Sequence, residues 1–433
     1  MFLTARSSAP SRRRLTPRAA DSRRFAPLAA DATVRQLQSM GSLITLGVGP
    51  LEIDWGKNSI FRNHNALFSP ADLATARYDY DDETTAERPA YVRSLGSLRR
   101  RLGLLGYGLP TLADHYAAFG EPPLPFDQFA AAVGAVDLSN VVPPEYSGES
   151  DDLGEFVLQY FRQPEFNKVV DLASFRRSDG EFFENLDPYI LLRLLLENPS
   201  NRDAQVAWRF ADVLDGGWVS EADLAPCLTD EARILVVTEG SSDSTVLSRS
   251  APMVASDIAD FFSFVDMSEN YPFTGTGNVH RFCQGLARLR ILNKVLVVLD
   301  NDTAGREAFQ LIRALDLPAT MRVTVLPDLQ ECETFRAHGP AGEQTQNVNG
   351  LAVSTEMFLD LSVGGPSPPA IRWSAYNDRL GQYQGALIAK DSYLRHFVHM
   401  SSVPPTYDLS KLRLLWDHLY STCSNDVAPR TAV

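Results

Sequence analysis

Apolar residues recur along this chain with two different periods, and the change falls near residue 230. From Met40, the run "SLITLGVGPLEIDWGKN" alternates and is broken by Gly and Pro, which predicts a β-hairpin or two short strands. The acidic stretch "ARYDYDDETTAE" reads as a solvated loop. Helical periodicity follows in "YVRSLGSLRRRLGLLGYGLPTLADHYAAF", and "EPPLPFDQFAAAVGAVDLSNVVPPEY" adds a helix between prolines. "LGEFVLQYFRQ" and "PYILLRLLLENP" predict amphipathic helices, each closed by a proline. Residues 40–230 are therefore expected to form a mainly helical α+β domain.

From Ala232 the pattern switches. "RILVVTEG", "FFSFVDMSE", "KVLVVLDND" and "RVTVLPDL" are apolar strand-like runs, and the helical stretches "SSDSTVLSRSA", "GTGNVHRFCQGLARLRIL" and "TAGREAFQLIRALDL" separate them. Strands alternating with helices of this length predict parallel β-α units. Near-continuous apolar strands predict a sheet covered on both faces. The expected class is α/β: a parallel sheet flanked by helices over residues 231–400, then a C-terminal helical tail over 401–433. Residues 1–39 are rich in Ser, Ala, Pro and Arg without apolar periodicity, and read as a disordered extension or a mis-assigned start.

Composition narrows the possibilities. The 433 residues are 44% hydrophobic and 22% charged, with no run near the ~20 apolar residues of a membrane span. Four widely spaced cysteines form no CxxC pair, against a zinc ribbon or disulfide framework and in keeping with a reducing cytoplasm. A net charge of −14 gives no overall attraction for nucleic acid, so a polyanion must be held by local basic groups or through metal ions. Only five basic residues are lysines, against 35 arginines, so each lysine is a candidate for a role that needs a compact ammonium.

The chemistry is concentrated where two strands end. "LVVTEGSSD" finishes in Glu239 with Asp243 four residues on, and "LVVLDNDTAG" in Asp300 and Asp302. One reading is a capped turn, with Asp302 or Thr303 as the N-cap of the next helix. The other is a divalent cation between like charges that repel each other. Parallel strands place their carboxyl ends on one edge, and neighbouring tips lie roughly 5 Å apart. Magnesium, a hard cation preferring oxygen ligands, suits such a carboxylate set, and manganese is the alternative. A pair of ions would serve an in-line phosphodiester displacement.

The E-G-x-x-D of Glu239, Gly240 and Asp243, followed by the D-x-D-x-x-G of Asp300, Asp302 and Gly305, resembles a Toprim domain as in topoisomerases, primases and OLD-type nucleases. The resemblance covers about residues 231–330. It implies that Glu239 acts in acid–base or metal chemistry and that Asp300 and Asp302 hold magnesium. "MGSLITLGVGPLEIDWGKNS…LFSPADL" ahead of such a domain resembles bacterial HEPN/Toprim-associated proteins, thought to act against phages or mobile elements. A HEPN ribonuclease is expected to carry Arg-x4–6-His; Arg413 and His418 in the C-terminal region have that spacing, and read as a pair on a helix surface. Glu356, in the apolar segment "NVNGLAVSTEMFL" that is expected to be helical, is a further metal-ligand candidate or an ordinary helical Glu. Lys390 resembles the lysine that OLD-type nucleases have downstream of the Asp pair; the alternative is a surface lysine. Lys411 reads as part of a solvated helical face.

The function expected on this basis is a metal-dependent nuclease acting on DNA, with a homo-oligomer or a defence-system partner protein as possible assemblies. Two other classes stay open. "VVLDNDTAG" also fits the DxDxT nucleophile of haloacid-dehalogenase-type phosphatases, with Asp300 phosphorylated. A Toprim-like module that binds a partner without cleaving is the third.

Overall fold

Alternation through Leu43–Lys57 does make a hairpin. Strands β1 (Leu43–Val48) and β2 (Leu51–Lys57) pair antiparallel around Gly49, whose φ of +55° is the left-handed turn conformation open to glycine. The computed structural model describes residues 41–424 except 81–83, 119, 144–152, 265–274, 290–292 and 341. The segment 1–39 and the end of the predicted tail lie outside the described residues.

The N-terminal sheet adds β3 (Leu73–Asp79), β4 (Thr85–Ser94) and β5 (Gln205–Arg209) in the order β2-β1-β5-β4-β3, antiparallel throughout. The acidic stretch expected as a loop is thus largely strand. β3 is an edge strand exposed along most of its length, so both faces carry polar residues and the alternation that betrays a strand is missing. Helices α1 (Leu95–Leu104), α2 (Phe126–Gly134), α3 (Leu153–Phe161) and α4 (Pro188–Leu195) match the helical stretches read from the sequence. They bury Leu98, Leu102, Phe129, Phe161, Ile190 and Leu192 in one core with Leu46 and Trp208 of the sheet. Asp187 caps α4 by accepting from Tyr189 N, and Pro188 occupies the first turn, where its missing N–H costs nothing.

The second half follows the β-α alternation. Strands β6 (Ile234–Val237), β7 (Phe262–Phe264), β8 (Lys294–Leu299) and β10 (Met321–Val325) form a parallel sheet in the order β10-β8-β6-β7. Helices α5 (Ser241–Val254), α6 (Thr276–Leu289) and α7 (Thr303–Arg313) connect them. Two smaller sheets complete this half. β9 (Asn301–Asp302) pairs with β13 (Ala352–Val353); β11 (Phe335–Gly339), β12 (Gly342–Gln346), β14 (Ile371–Asn377) and β15 (Gln382–Leu387) pair in the order β12-β11-β14-β15. Helices α8 (Lys390–His399) and α9 (Ser410–Cys423) follow.

The predicted C-terminal tail is built into this half. Leu412, Leu415, Trp416 and Leu419 of α9 share a core with Val236, Val246 and Phe262, and Trp416 Nε1 donates to Ser250 Oγ at 2.9 Å. Arg101 of α1 locks the two halves together: 1% exposed, it donates to Ala66 O, Phe68 O, Asp257 O and both carboxylate oxygens of Asp260. Lys294 Nζ caps the end of α1 at Leu104 O, 2.8 Å away.

Candidate functional site

β6 and β8 are hydrogen-bonded neighbours at the centre of the parallel sheet, so their carboxyl ends emerge side by side. Glu239 follows β6 and Asp300 follows β8, and Asp300 N donates to Glu239 Oε1 at 3.0 Å. The two tips are therefore in direct contact. From there α5 starts at once, with Asp243 in its first turn, 7% exposed, accepting from Gly240 N at 3.0 Å. Asp302 is the N-cap of α7, its Oδ1 accepting from Gly305 N at 2.8 Å, so the capping reading of this loop holds for one of its oxygens. Gly305 has a steric reason: a Cβ there would lie 2.1 Å from Asp300 O. Any side chain would drive α7 off the aspartate loop.

Two distant segments close over this edge. β13 pairs with β9, Ala352 opposite Asp302 and Val353 opposite Asn301, and this carries the following residues to the site. Thr355 Oγ1 donates to Asp243 Oδ1, and Glu356 is 1% exposed. Glu356 lies in a short 3-10 turn, Thr355–Phe358, where the sequence suggested a longer helix. Its Oε2 accepts from Ser354 Oγ at 2.6 Å, while its buried Oε1 has no hydrogen-bond partner and lies 3.8 Å from Lys390 Nζ. Lys390, half-exposed, opens α8 directly after Ala389, a non-glycine residue at φ +58°. From β15, Gln384 Nε2 donates to Asp302 Oδ2, its Oε1 accepts from Ala304 N at 3.0 Å, and Thr303 Oγ1 donates to Tyr383 O at 2.8 Å.

The electrostatics follow from five acids and one lysine in a half-dry crevice. Burial pushes the Glu239 carboxyl up to about 8, and the charges of Asp302 and Asp243 add to it against the Asp300 N–H. Burial raises Asp243 to about 6, with the charge of Glu356 adding and Thr355 and Gly240 opposing. Asp300 is raised well above the carboxylate range by burial and then by Asp243, Glu239, Asp302 and Glu356 in turn. Burial also raises Asp302, against the N–H of Gly305 and the Gln384 amide. The Lys390 ammonium is raised, first by Glu356, which outweighs its own desolvation, then by Asp300 and Asp243.

Among the described residues no three His, Cys, Asp or Glu side chains stand ready as a metal-binding group. Asp243, Asp302 and Glu239 instead spend oxygens on N–H and hydroxyl donors. The donor set nevertheless fits a hard dication: every candidate ligand atom is a carboxylate oxygen, the acids repel one another, and Glu356 Oε1 is buried and unsatisfied.

The matched family lies in the other half. Residues 40–232 match the HEPN/Toprim N-terminal domain 1 family. This HEPN/Toprim N-terminal region ends two residues before β6, so every acid of the crevice lies beyond it. No curated protein and no solved structure matches the chain.

Other sequence candidates fall elsewhere. Arg413 is exposed on α9, whereas His418 turns inward, its Nε2 3.0 Å from Val325 O and 2.7 Å from Thr324 Oγ1. The expected surface pair is therefore one surface residue and one packed against β10; five positions along a helix place the two on different faces. Lys411 is not on a solvated face. Its side chain is 12% exposed and bonds Glu331 at 2.6 Å. Gln384 and Thr355 were missed: both are neutral, and the only sequence signal for either is proximity to Lys390 or Glu356. Among the described residues no helix is long and apolar enough to cross a membrane.

Proposed function

We propose that the crevice at the β6–β8 edge is the centre of a Toprim-type, divalent-metal-dependent nuclease that hydrolyses phosphodiester bonds, with DNA as its substrate. One observation carries this reading: Glu239, Asp243, Asp300, Asp302 and Glu356 gather from three chain segments around a single lysine, leaving the buried Glu356 Oε1 without a hydrogen bond. Burying so many acids against so little positive charge is costly unless a cation joins them. These five residues would hold magnesium or manganese. Bound there, two such ions would stabilise the attacking and leaving oxygens of an in-line displacement.

The chain's own groups have separable tasks. Glu239 has Oε1 fixed by the Asp300 N–H, which leaves its other oxygen to take a proton from the attacking water once a bound cation holds the carboxyl ionised. Lys390 Nζ would offset charge building on the scissile phosphate. Gln384 and Thr355 hold Asp302 and Asp243 in place. The HEPN/Toprim N-terminal match and the resemblance to phage-defence proteins support a role against phages or mobile elements in the cytoplasm, alone as an oligomer or with a partner protein.

The test is cleavage of plasmid, linear DNA and RNA by the full chain with magnesium, manganese or chelator. Metal-dependent cleavage is expected for the wild type and none for Asp300→Ala, Asp302→Ala or Glu239→Ala. Three variants that cut as well as wild type would remove the proposal. The phosphatase alternative is decided separately, by acid-quenching the reaction with a small phosphomonoester: a trapped phosphoenzyme on Asp300 would establish it.

A further inference from the structure

The chain turns from β15 into α8 through Ile388 and Ala389 alone, and the bend falls on Ala389, at φ +58° and ψ +34°. This left-handed backbone crowds the Cβ of an L-residue against the following carbonyl and is ordinarily taken by Gly or Asn. Among the described residues the other non-glycine with positive φ is Asn58. The methyl side chain of Ala389 makes no hydrogen bond that would offset the crowding, and α8 starts without a side-chain cap. The conformation is imposed from both sides. Before it, Gly385 N donates to Leu351 O at 3.0 Å and Ile388 N to Ala370 O at 2.9 Å, which fixes the end of β15. After it, α8 is anchored by the buried rings of Tyr393 and Phe397, by Tyr393 Oη donating to Pro366 O at 2.6 Å, and by Arg249 Nε donating to Phe397 O at 3.1 Å. Strand and helix are both held, so the residue between them is left one conformation.

We infer that Ala389 is a positioning residue, whose left-handed backbone fixes the direction in which Lys390 enters the crevice. The inference rests on the nuclease reading above for what the ammonium does, and on geometry alone for where it is held. Lys390 Nζ approaches Glu356 Oε1 at 3.8 Å, a charge contact too long for a hydrogen bond. Among the described residues no tight side-chain bond therefore locates the ammonium, and the backbone one residue earlier decides where its side chain starts. A Cβ at that residue matters to this task. It confines Ala389 to a narrow well of roughly +50 to +70° in φ, whereas Gly would spread over a broad region and let Lys390 swing. A shift of about 1 Å in a group that offsets charge on a phosphate is enough to lose most of its effect.

The test compares two variants of the full chain: Ala389→Gly removes strain and confinement together, and Ala389→Asn eases the strain but keeps a Cβ. In chelator, lysine acetylation is followed peptide by peptide, with the exposed Lys57 as reference. Lys390 should react severalfold faster in Ala389→Gly than in wild type, and at the wild-type rate in Ala389→Asn. With magnesium, the single-turnover cleavage rate should fall about tenfold in Ala389→Gly and recover in Ala389→Asn. Both variants should unfold in urea at or above the wild-type midpoint, so that a lost fold does not account for a lost rate. Lys390 acetylation in Ala389→Gly indistinguishable from wild type would overturn the inference. So would equal changes in the Gly and Asn variants, which would assign the effect to the altered side chain. A lower midpoint in both would overturn it as well, by showing that Ala389 is not strained. The two readings fail separately. The expected acetylation contrast without cleavage by any of the three proteins keeps the positioning and removes the nuclease, whereas cleavage at the wild-type rate in Ala389→Gly keeps the nuclease and removes the positioning.

Discussion

Arg101 in the N-terminal half and Asp300 in the parallel-sheet half are both charges removed from water, and their surroundings differ in kind. Arg101 satisfies its guanidinium on three backbone carbonyls and the bidentate carboxylate of Asp260, with the Phe261 ring 4.8 Å from its centre. Asn201 in the same half is 1% exposed and likewise fully engaged, with Leu138 N, Val136 O and Leu195 O. Around Asp300 the balance is reversed: four other acids, one half-exposed lysine, and one acid oxygen with no hydrogen bond. Buried charge that is fully matched holds a fold together. Buried charge of one sign, left unmatched, marks a place that waits for something positive.

The largest expected effect falls on the matched side. Arg101→Met should cost about 3–5 kcal/mol of unfolding free energy in urea, because it strands Asp260 and three carbonyls. A variant as stable as wild type would erase the contrast. On the unmatched side, Lys390→Ala should lower the single-turnover cleavage rate about 10²-fold while leaving the fold intact, and Lys390→Arg should restore only part. Lys411→Ala is the counterpart: its pair with Glu331 is structural, so a small loss of melting temperature with an unchanged rate is expected. A rate loss there equal to that of Lys390→Ala would show that the two lysines are not different in kind.

The smallest effect is in pH. Glu239 and Asp243 have folded pKa values raised to about 8 and about 6, above those of an unfolded carboxyl. The folded state therefore binds more protons than the unfolded state in this range, and the stability these groups contribute is present at low pH and lost as pH rises. Melting temperature in chelator should decline between about pH 4 and pH 8. Glu239→Gln should flatten the upper part of that decline, and magnesium should shrink it. A melting temperature that rises across this window, with the wild-type and Glu239→Gln profiles parallel, would show that the acids are not strained.

The parts legible in the sequence were those in which neighbouring residues share one fate. Apolar runs such as "RILVV" and "KVLVVL" announced buried parallel strands, and the acids at their ends announced the shared edge. Legibility failed where a segment's role depends on a partner far along the chain. Gln384 reaches Asp302 across 82 positions and Thr355 reaches Asp243 across 112, and neither residue type signals such a contact. β14 and β15, with exposed patterns and a register shift near Trp373, offer no clean alternation to read. β3 reads as a loop for the same reason: an edge strand in solvent has no apolar face to give it away.

The β9–β13 ladder and the β15 clamp also set a schedule during synthesis. The aspartates are made first, but Glu356, Gln384 and Lys390 arrive only later in the chain. At roughly 5–20 residues per second, the 88 residues from Asp302 to Lys390 (390 minus 302) separate the acids from their counter-charge by about 4–18 s. Until Gln384 and then Lys390 are made, the growing polypeptide has the aspartates of the crevice without the amide that positions Asp302 or the ammonium that faces Glu356. Under the nuclease reading proposed above, this chain order is a built-in delay: the crevice is among the last things to be finished.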